Sequence, residues 1–274
     1  MAITAADVNK LRQQTGAGMM DCKKALVEAE GDFSLAIDIL RKKGQKVAAN
    51  REGRDASEGL VLALTSPDEK RGVIVVVNCE TDFVAKNDDF NAFASKIASI
   101  ALDNLPADVE ALRQLKYDTE LTVAEKIIEQ TGVIGEKIEV SSYEMIAADT
   151  VYAYNHPGNK VASVVGLNGN GKAEVAKDVA MQVAAMAPVA VDEARVPKDM
   201  VAKELEIGKE LAIQEGKPAE MAEKIAEGRL KKFFQEATLL NQQFIKNNKQ
   251  TIAQFLDSTE KGLTVTDFKR FSLS

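Results

Sequence analysis

The chain is poor in the side chains that build metal and redox sites. Its 274 residues include one histidine, His156, and two cysteines, Cys22 and Cys79. The cysteines lie far apart and form no C-x-x-C pair, so the ligand set of a structural zinc site is missing. Both thiols sit among apolar neighbours and read as buried free cysteines, the form kept by a reducing cytosol. No apolar run approaches the roughly 20 residues of a membrane span. The opening Met1-Ala2-Ile3-Thr4-Ala5-Ala6-Asp7 lacks the basic and apolar regions of a signal peptide, so a cytoplasmic location is expected. A basic excess is missing too: 35 Lys and Arg stand against 42 Asp and Glu, a net charge of −7. That balance speaks against nucleic acid and against an anionic membrane surface. It suits a protein whose partner is another protein.

Enzyme signatures are equally scarce. No G-x-x-x-x-G-K-[ST], G-x-G-x-x-G or G-x-S-x-G pattern is present. Gly166-Leu167-Asn168-Gly169-Asn170-Gly171 is glycine-rich but has the wrong spacing for a dinucleotide site, and reads as a turn. His156 lies in a turn with no Cys or Ser partner nearby in sequence. Glu80, Asp82, Asp88 and Asp89 lack the spaced oxygens and glycine of a calcium loop. Asp88 and Asp89 fit the first turn of a helix, where acids meet the positive dipole end.

What is present is a core-forming content of 45% apolar residues and a clear segmental pattern. Residues 1–44 read as three short helices: Thr4 as N-cap with Val8 and Leu11 inward, then Cys22, Ala25, Leu26 and Ala29, then Leu35, Ala36, Ile39 and Leu40. Gly44 is expected to stop the third, and the polar stretch 45–57 to be a linker. Apolar strands at 59–65 and 72–79 flank a turn, Ser66-Pro67-Asp68-Glu69-Lys70, and a helix follows with Phe90, Phe93, Ile97 and Ile100 on one face. Helical segments near 108–114 and 122–130 and a strand at 137–145 complete this unit. The pattern then repeats: Val151-Tyr152-Ala153-Tyr154, the turn His156-Pro157-Gly158-Asn159, a strand at 161–167, and a helix with Val175, Val179, Val183 and Met186 on one face. Hairpin, loop, helix twice over predicts an α+β fold with two related subdomains and antiparallel sheets. Between them and the end lie two helical stretches, 198–215 and 218–236, divided by Gly216-Lys217-Pro218. Val201, Leu205 and Leu211 form a stripe on the first, Met221 and Ile225 on the second. This pair either projects as a dimer or partner arm or packs back on the core. The final stretch, 237–274, returns to the second subdomain and ends in a polar, partly apolar tail with Phe268 and Phe271. The predicted units are 1–56 (bundle and linker), 57–148, 149–190 with 237–274, and an inserted hairpin at 191–236.

Only the first of the two repeated loops is decorated. After Val73-Ile74-Val75-Val76-Val77 comes Thr81-Asp82-Phe83-Val84-Ala85-Lys86-Asn87, which sets a carboxylate beside a ring at a strand end. Either Phe83 probes a partner's pocket, or it folds back while Asp82 caps the next helix. Met19-Met20 is a second unusual pair. Adjacent helical residues cannot both face inward, so at least one should be exposed unless both close the end of the small bundle.

These two motifs, with Arg12-Gln13-Gln14-Thr15-Gly16-Ala17-Gly18-Met19-Met20-Asp21-Cys22-Lys23-Lys24-Ala25-Leu26 for the second, make the whole chain resemble the elongation factor Ts family. Met186-Ala187-Pro188 and Gly228-Arg229-Leu230-Lys231-Lys232-Phe233 also look like that family, whereas 234–248 is more polar and less typical. The resemblance implies a ubiquitin-associated-like N-terminal bundle and a partner, elongation factor Tu, on which guanine nucleotide is exchanged. It implies no cofactor of the chain's own, since Mg²⁺ and GDP or GTP belong to Tu. It implies Tu contacts at Arg12, Thr15, Gly16, Met19, Met20, Thr81, Asp82, Phe83, Val84 and His156. Phe83 would wedge between packed elements of Tu, and Asp82 would disturb the polar network around the metal. A homodimer through the hairpin is a further expectation. The competing readings are a non-catalytic module that recruits a partner through the N-terminal bundle, and an enzyme with an unfamiliar site at Asp82 or His156.

Overall fold

The computed structural model describes residues 3–273, without the side chain of Ala219. Helix α1 (Ala5–Thr15) opens with a capping box between Thr4 and Asp7 and ends at Gly16, whose φ of 70° suits glycine. Helices α2 (Met19–Glu28) and α3 (Phe33–Arg51) complete a bundle around Val8, Leu11, Cys22, Ala25, Leu26 and Ala36. Leu35, expected inward, is 47% exposed. The buried stripe runs through Phe33, Ala36, Ile37 and Leu40, and Leu35 falls off it.

Gly44 does not stop α3, and most of the expected linker is helical. The helix runs on to Arg51 because Gly44 marks a crossing with α7 (Val123–Ile134) rather than an end. A Cβ placed on Gly132 of α7 would lie 2.4 Å from the Gly44 Cα. Two bare backbones therefore touch there, and that contact outweighs the roughly 1 kcal/mol that mid-helix glycine costs.

Strands β1 (Glu58–Thr65), β2 (Arg71–Cys79) and β3 (Glu139–Ala147) form one antiparallel sheet in that order. Strands β4 (Thr150–Asn155), β5 (Val161–Leu167) and β8 (Val265–Ser272) form another of the same topology. In each, a hairpin supplies the edge and middle strands, and the third strand returns after helices. The sheets pack face to face through Val61, Ala63, Ile74, Val76, Val151, Ala162 and Val164. On the outer face of the first sheet, Val73, Val75 and Val77 meet Phe90, Phe93 and Ile97 of α5 (Asp88–Asn104), flanked by α6 (Val109–Gln114). The second sheet is covered by α8 (Ala173–Met186) and α11 (Ile252–Thr259). Burial on both faces explains why β2 is apolar without a break from Val73 to Val77. The adjacent edges are stitched: Val61 N donates to Asn159 O at 2.7 Å, and Ala63 exchanges two bonds with the Asn155 amide.

Helices α9 (Lys198–Gln214) and α10 (Ala219–Ala237) pack on each other and, among the described residues, make no extensive contact with the sheets. Their seam is made of Gly208, Ala212, Ala222 and Ala226; a Cβ on Gly208 would lie 3.1 Å from Ala226. Leu211 and Met221, expected in the packing stripe, are instead 42% and 54% exposed. The helices approach too closely to admit large side chains between them. At the base of the arm, Ala190 and Thr238 form a parallel bridge, with Leu239 N donating to Ala190 O at 2.9 Å.

The polar stretch that follows has an internal purpose. Gln182 and Gln242 are buried side by side, and Gln242 also donates to the carbonyls of Met186 and Glu236. Gln182 accepts from Ile245 N at 2.9 Å, in the turn joining β6 (Gln243–Phe244) to β7 (Asn247–Thr251). The amides thus satisfy the arm base and this small hairpin together. The expected tail is a strand, β8, with Phe268 against one core and Phe271 against the other. Among the described residues, no helix is long and apolar enough to cross a membrane.

Candidate functional site

The Thr81-Asp82-Phe83-Val84 segment is a single helical turn, α4 (Asp82–Ala85), mounted on the end of β2. Thr81, not Asp82, caps it, with the hydroxyl accepting from Val84 N at 3.4 Å. Val84 and Ala85 turn into the core, and Phe83 turns out, 83% exposed. The ring therefore does not fold back. Asp82 pairs with Lys86 at 2.7 Å, and that bond holds its carboxyl below the usual carboxylate range, helped by the charges of Lys86 and of Lys160. Asp88 and Asp89 occupy the first turn of α5, behind the Asn87 cap.

The turn is fixed from below by groups that lie far away in sequence. Glu136 follows Gly135, which ends α7 in a left-handed conformation at φ 80°. Its carboxylate accepts from Glu80 N at 3.1 Å, Thr81 N at 3.0 Å and Thr81 Oγ1 at 2.7 Å. Glu80 answers in the opposite sense, accepting from Lys137 N at 2.6 Å and from Arg51 Nη1 at 2.8 Å. The Lys137 N–H bond, with the Arg51 guanidinium second, holds the Glu80 carboxyl below its usual range. Beneath them the Cys79 thiol donates to Thr81 O at 3.2 Å, and burial pushes its pKa up to about 12. Sequence reading missed Glu136, and it treated Glu80 only as a rejected metal ligand. No local pattern marks either, because each finds its partners across the fold. Among the described residues no group of three or more His, Cys, Asp or Glu is placed to hold a metal.

The other candidates divide into two places. Met19 and Met20 open α2 and are 53% and 64% exposed, so neither closes the bundle. Arg12 is exposed in the last turn of α1, and Gly16 follows it. Thr15 is half-buried and donates to Leu11 O at 2.8 Å. Gly16 and Phe83 line the same groove of about 690 Å³, whose floor includes Phe90, Phe93, Tyr117, Val133 and Ile134. The α1–α2 turn and α4 are thus brought together. His156 is exposed in the β4–β5 turn, where its Nδ1 lies 3.1 Å from the Tyr154 hydroxyl. It does not line that groove. Its hairpin nonetheless reaches the α4 end of the molecule, because Lys160 pairs with Glu58 at the start of β1 and its charge acts on Asp82.

Comparison with known proteins bears on what such a face is for. The family described as Elongation factor TS matches residues 80–274. The elongation factor Ts of Amoebophilus asiaticus (strain 5a2) is 54% identical over 273 residues, covering 98% of each chain. That of Christiangramia forsetii is 52% identical over 274 residues, covering 99% of this chain and 98% of its own. That of Porphyromonas gingivalis (strain W83) is 46% identical over 274 residues, covering 100% and 99%. Full-length identity at this level, together with the mixed architecture and the paired helices of the arm, leaves one conclusion: the chain belongs to the elongation factor Ts family.

Proposed function

We propose that this chain drives nucleotide exchange on elongation factor Tu through a face made of the α1–α2 turn, α4 and the β4–β5 turn. Membership of the family makes it an exchange factor, without covalent chemistry and without a cofactor of its own. The observation that carries the proposed face is Phe83, a ring 83% exposed on a turn that is capped and braced. An exposed aromatic on a rigid mount loses little freedom when it enters a partner's pocket.

An exchange factor stabilises nucleotide-free Tu relative to nucleotide-bound Tu. The effect is a coupling free energy and is reciprocal, so nucleotide must loosen the factor as much as the factor loosens nucleotide. In this reading Met19, Met20, Arg12 and Gly16 grip Tu, with Thr15 holding their turn. Phe83 enters between packed elements near the nucleotide. Asp82 disturbs the network around the Mg²⁺ that neutralises the phosphates. Thr81 and Val84 keep the turn in shape, and His156 adds a contact from the neighbouring hairpin. The work is assigned to the cytoplasm, and to the units 1–56, 57–148, 149–190 with 237–274, and the arm 191–236.

The arm is assigned to homodimer formation. Ile207, Leu211 and Met221 stand exposed on it while small residues fill its own seam. Light scattering of the purified chain tests this: a concentration-independent monomer removes the assignment.

The central test is release of fluorescent GDP from Tu in excess unlabelled nucleotide. Acceleration by substoichiometric chain, lost on Phe83→Ala, supports the face; acceleration unaffected by changes at Phe83, Met20 and His156 removes it.

A further inference from the structure

The crossed pair Glu80 and Glu136 is not needed to fill a core or to close a helix. It ties three elements at one point: the end of α3 through Arg51, the end of α7 through Glu136, and the start of α4 through Thr81. The bonds are reciprocal. The backbone of Glu80 donates to the side chain of Glu136, and the backbone of Lys137, next to Glu136, donates to the side chain of Glu80. Bonds to a carboxylate are roughly twice as strong as neutral ones, and three converge on Glu136.

The consequence concerns α4 itself. A helix of one turn has no stability of its own, since nucleation costs more than so short a segment returns. Its lower side is held by Val84 and Ala85, and its start is held by Glu136. Lys86 closes onto Asp82 at the exposed side, where screening makes the pair weak. Without Glu136, the Thr81 hydroxyl and two backbone N–H groups lose their acceptor together, and the direction in which Phe83 points is no longer set.

We propose that Glu136 is a positioning residue for exchange, one that touches no nucleotide and acts by aiming Phe83. The inference rests on the reading of Phe83 as the residue that acts on Tu. A loosely mounted ring enters the partner less often in its working orientation, whereas the α1–α2 grip on the bundle is unchanged. Loss of Glu136 therefore lowers the maximal exchange rate and leaves the concentration needed for half-maximal effect nearly constant.

The experiment measures GDP release from Tu across a range of factor concentrations for the intact chain, Glu136→Ala, Glu136→Gln, Phe83→Ala and the double variant Glu136→Ala with Phe83→Ala. Circular dichroism and thermal unfolding accompany each. Glu136→Gln keeps one acceptor oxygen and the side-chain shape, so it guards against a variant that merely fails to fold. The expected result is a fall in maximal rate of about tenfold for Glu136→Ala, less for Glu136→Gln, with half-saturation within about twofold. In the Phe83→Ala background, Glu136→Ala should have no further effect on the rate, as two residues acting through one contact require. Additive losses would overturn the proposal, as would a Glu136→Ala defect confined to half-saturation. If Phe83→Ala slows exchange and folded Glu136→Ala does not, the aiming role fails alone. If Phe83→Ala itself has no effect, the reading of Phe83 fails and takes this one with it.

Discussion

Gly44 of α3 and Gly132 of α7 meet backbone to backbone, and this contact sets how the N-terminal bundle sits on the rest of the chain. A Cβ on Gly132 would fall 2.4 Å from the Gly44 Cα, so the helices can keep this distance only while position 132 lacks a side chain; a Cβ on Gly44 would meet α7 no closer than 3.4 Å. The ion pair of Arg41 with Glu120, at 2.7 Å, steadies the same junction but is largely exposed.

Gly132→Ala should therefore push α3 off α7 at a cost of about 1–3 kcal/mol, the usual penalty of overpacking. Urea unfolding measures it. Because Gly16 and Phe83 share a groove that spans this junction, exchange should weaken as well. Unchanged stability would mean that the helices separate without loss, and that the bundle is loosely placed.

Phe83→Ala and Met20→Ala should separate two activities. Both side chains are exposed, so each variant should unfold within about 0.5 kcal/mol of the parent. Phe83→Ala should cut the maximal rate of GDP release by about tenfold or more. Met20→Ala should leave that maximum and raise the half-saturating concentration by about fivefold, equivalent to about 1 kcal/mol of contact. Titrations of each variant against Tu, read by fluorescent GDP, give both numbers. The reverse pattern would reassign wedge and grip.

Acid should loosen the α4 mount through Glu80. Its carboxyl sits below its ordinary value of 4.5 because Lys137 N–H and the Arg51 guanidinium favour the charged form. A lowered folded-state pKa gives stability that is fully present above 4.5 and is lost as pH falls through the folded value. The intact chain should thus exceed Glu80→Gln in unfolding midpoint at pH 7, and the gap should close as pH drops below 4.5. A gap constant from pH 7 to acid would mean that the charge of Glu80 contributes nothing.

The thiols report on the same region. Cys79 lies under Thr81 with a pKa pushed up to about 12, so almost none is thiolate near neutrality. Cys22 is buried in the bundle. An aromatic disulfide reagent should label neither promptly in the folded chain and both in denaturant. Prompt labelling of Cys79 would show that the α4 mount opens readily.

Much of this architecture is legible in the sequence because it is local. The capping residue Thr4, the apolar strands flanking Ser66-Pro67-Asp68-Glu69-Lys70 and the stripe from Phe90 to Ile97 each sit within a few residues of their cause. What misleads is what depends on distant partners. Gly44 looks like a helix stop because its partner, Gly132, lies in another helix. Leu211 and Met221 look like packing residues because nothing nearby reveals that Gly208 and Ala226 bring the arm helices too close for them. The exposed half of the site, Met20 and Phe83, is conspicuous as large apolar side chains in polar company. Its supporting half, Glu80 and Glu136, looks like ordinary surface acid until the fold closes.

The bridge between Ala190 and Thr238 carries a last consequence. The chain leaves for the arm and comes back through neighbouring backbone positions, sealed by hydrogen bonds from Val189 N to Ala237 O and from Leu239 N to Ala190 O. Whatever lies beyond that seal can lengthen or shorten by whole helical turns while the doorway keeps its dimensions. The length of the arm and the packing of the two sheets thus answer to separate constraints.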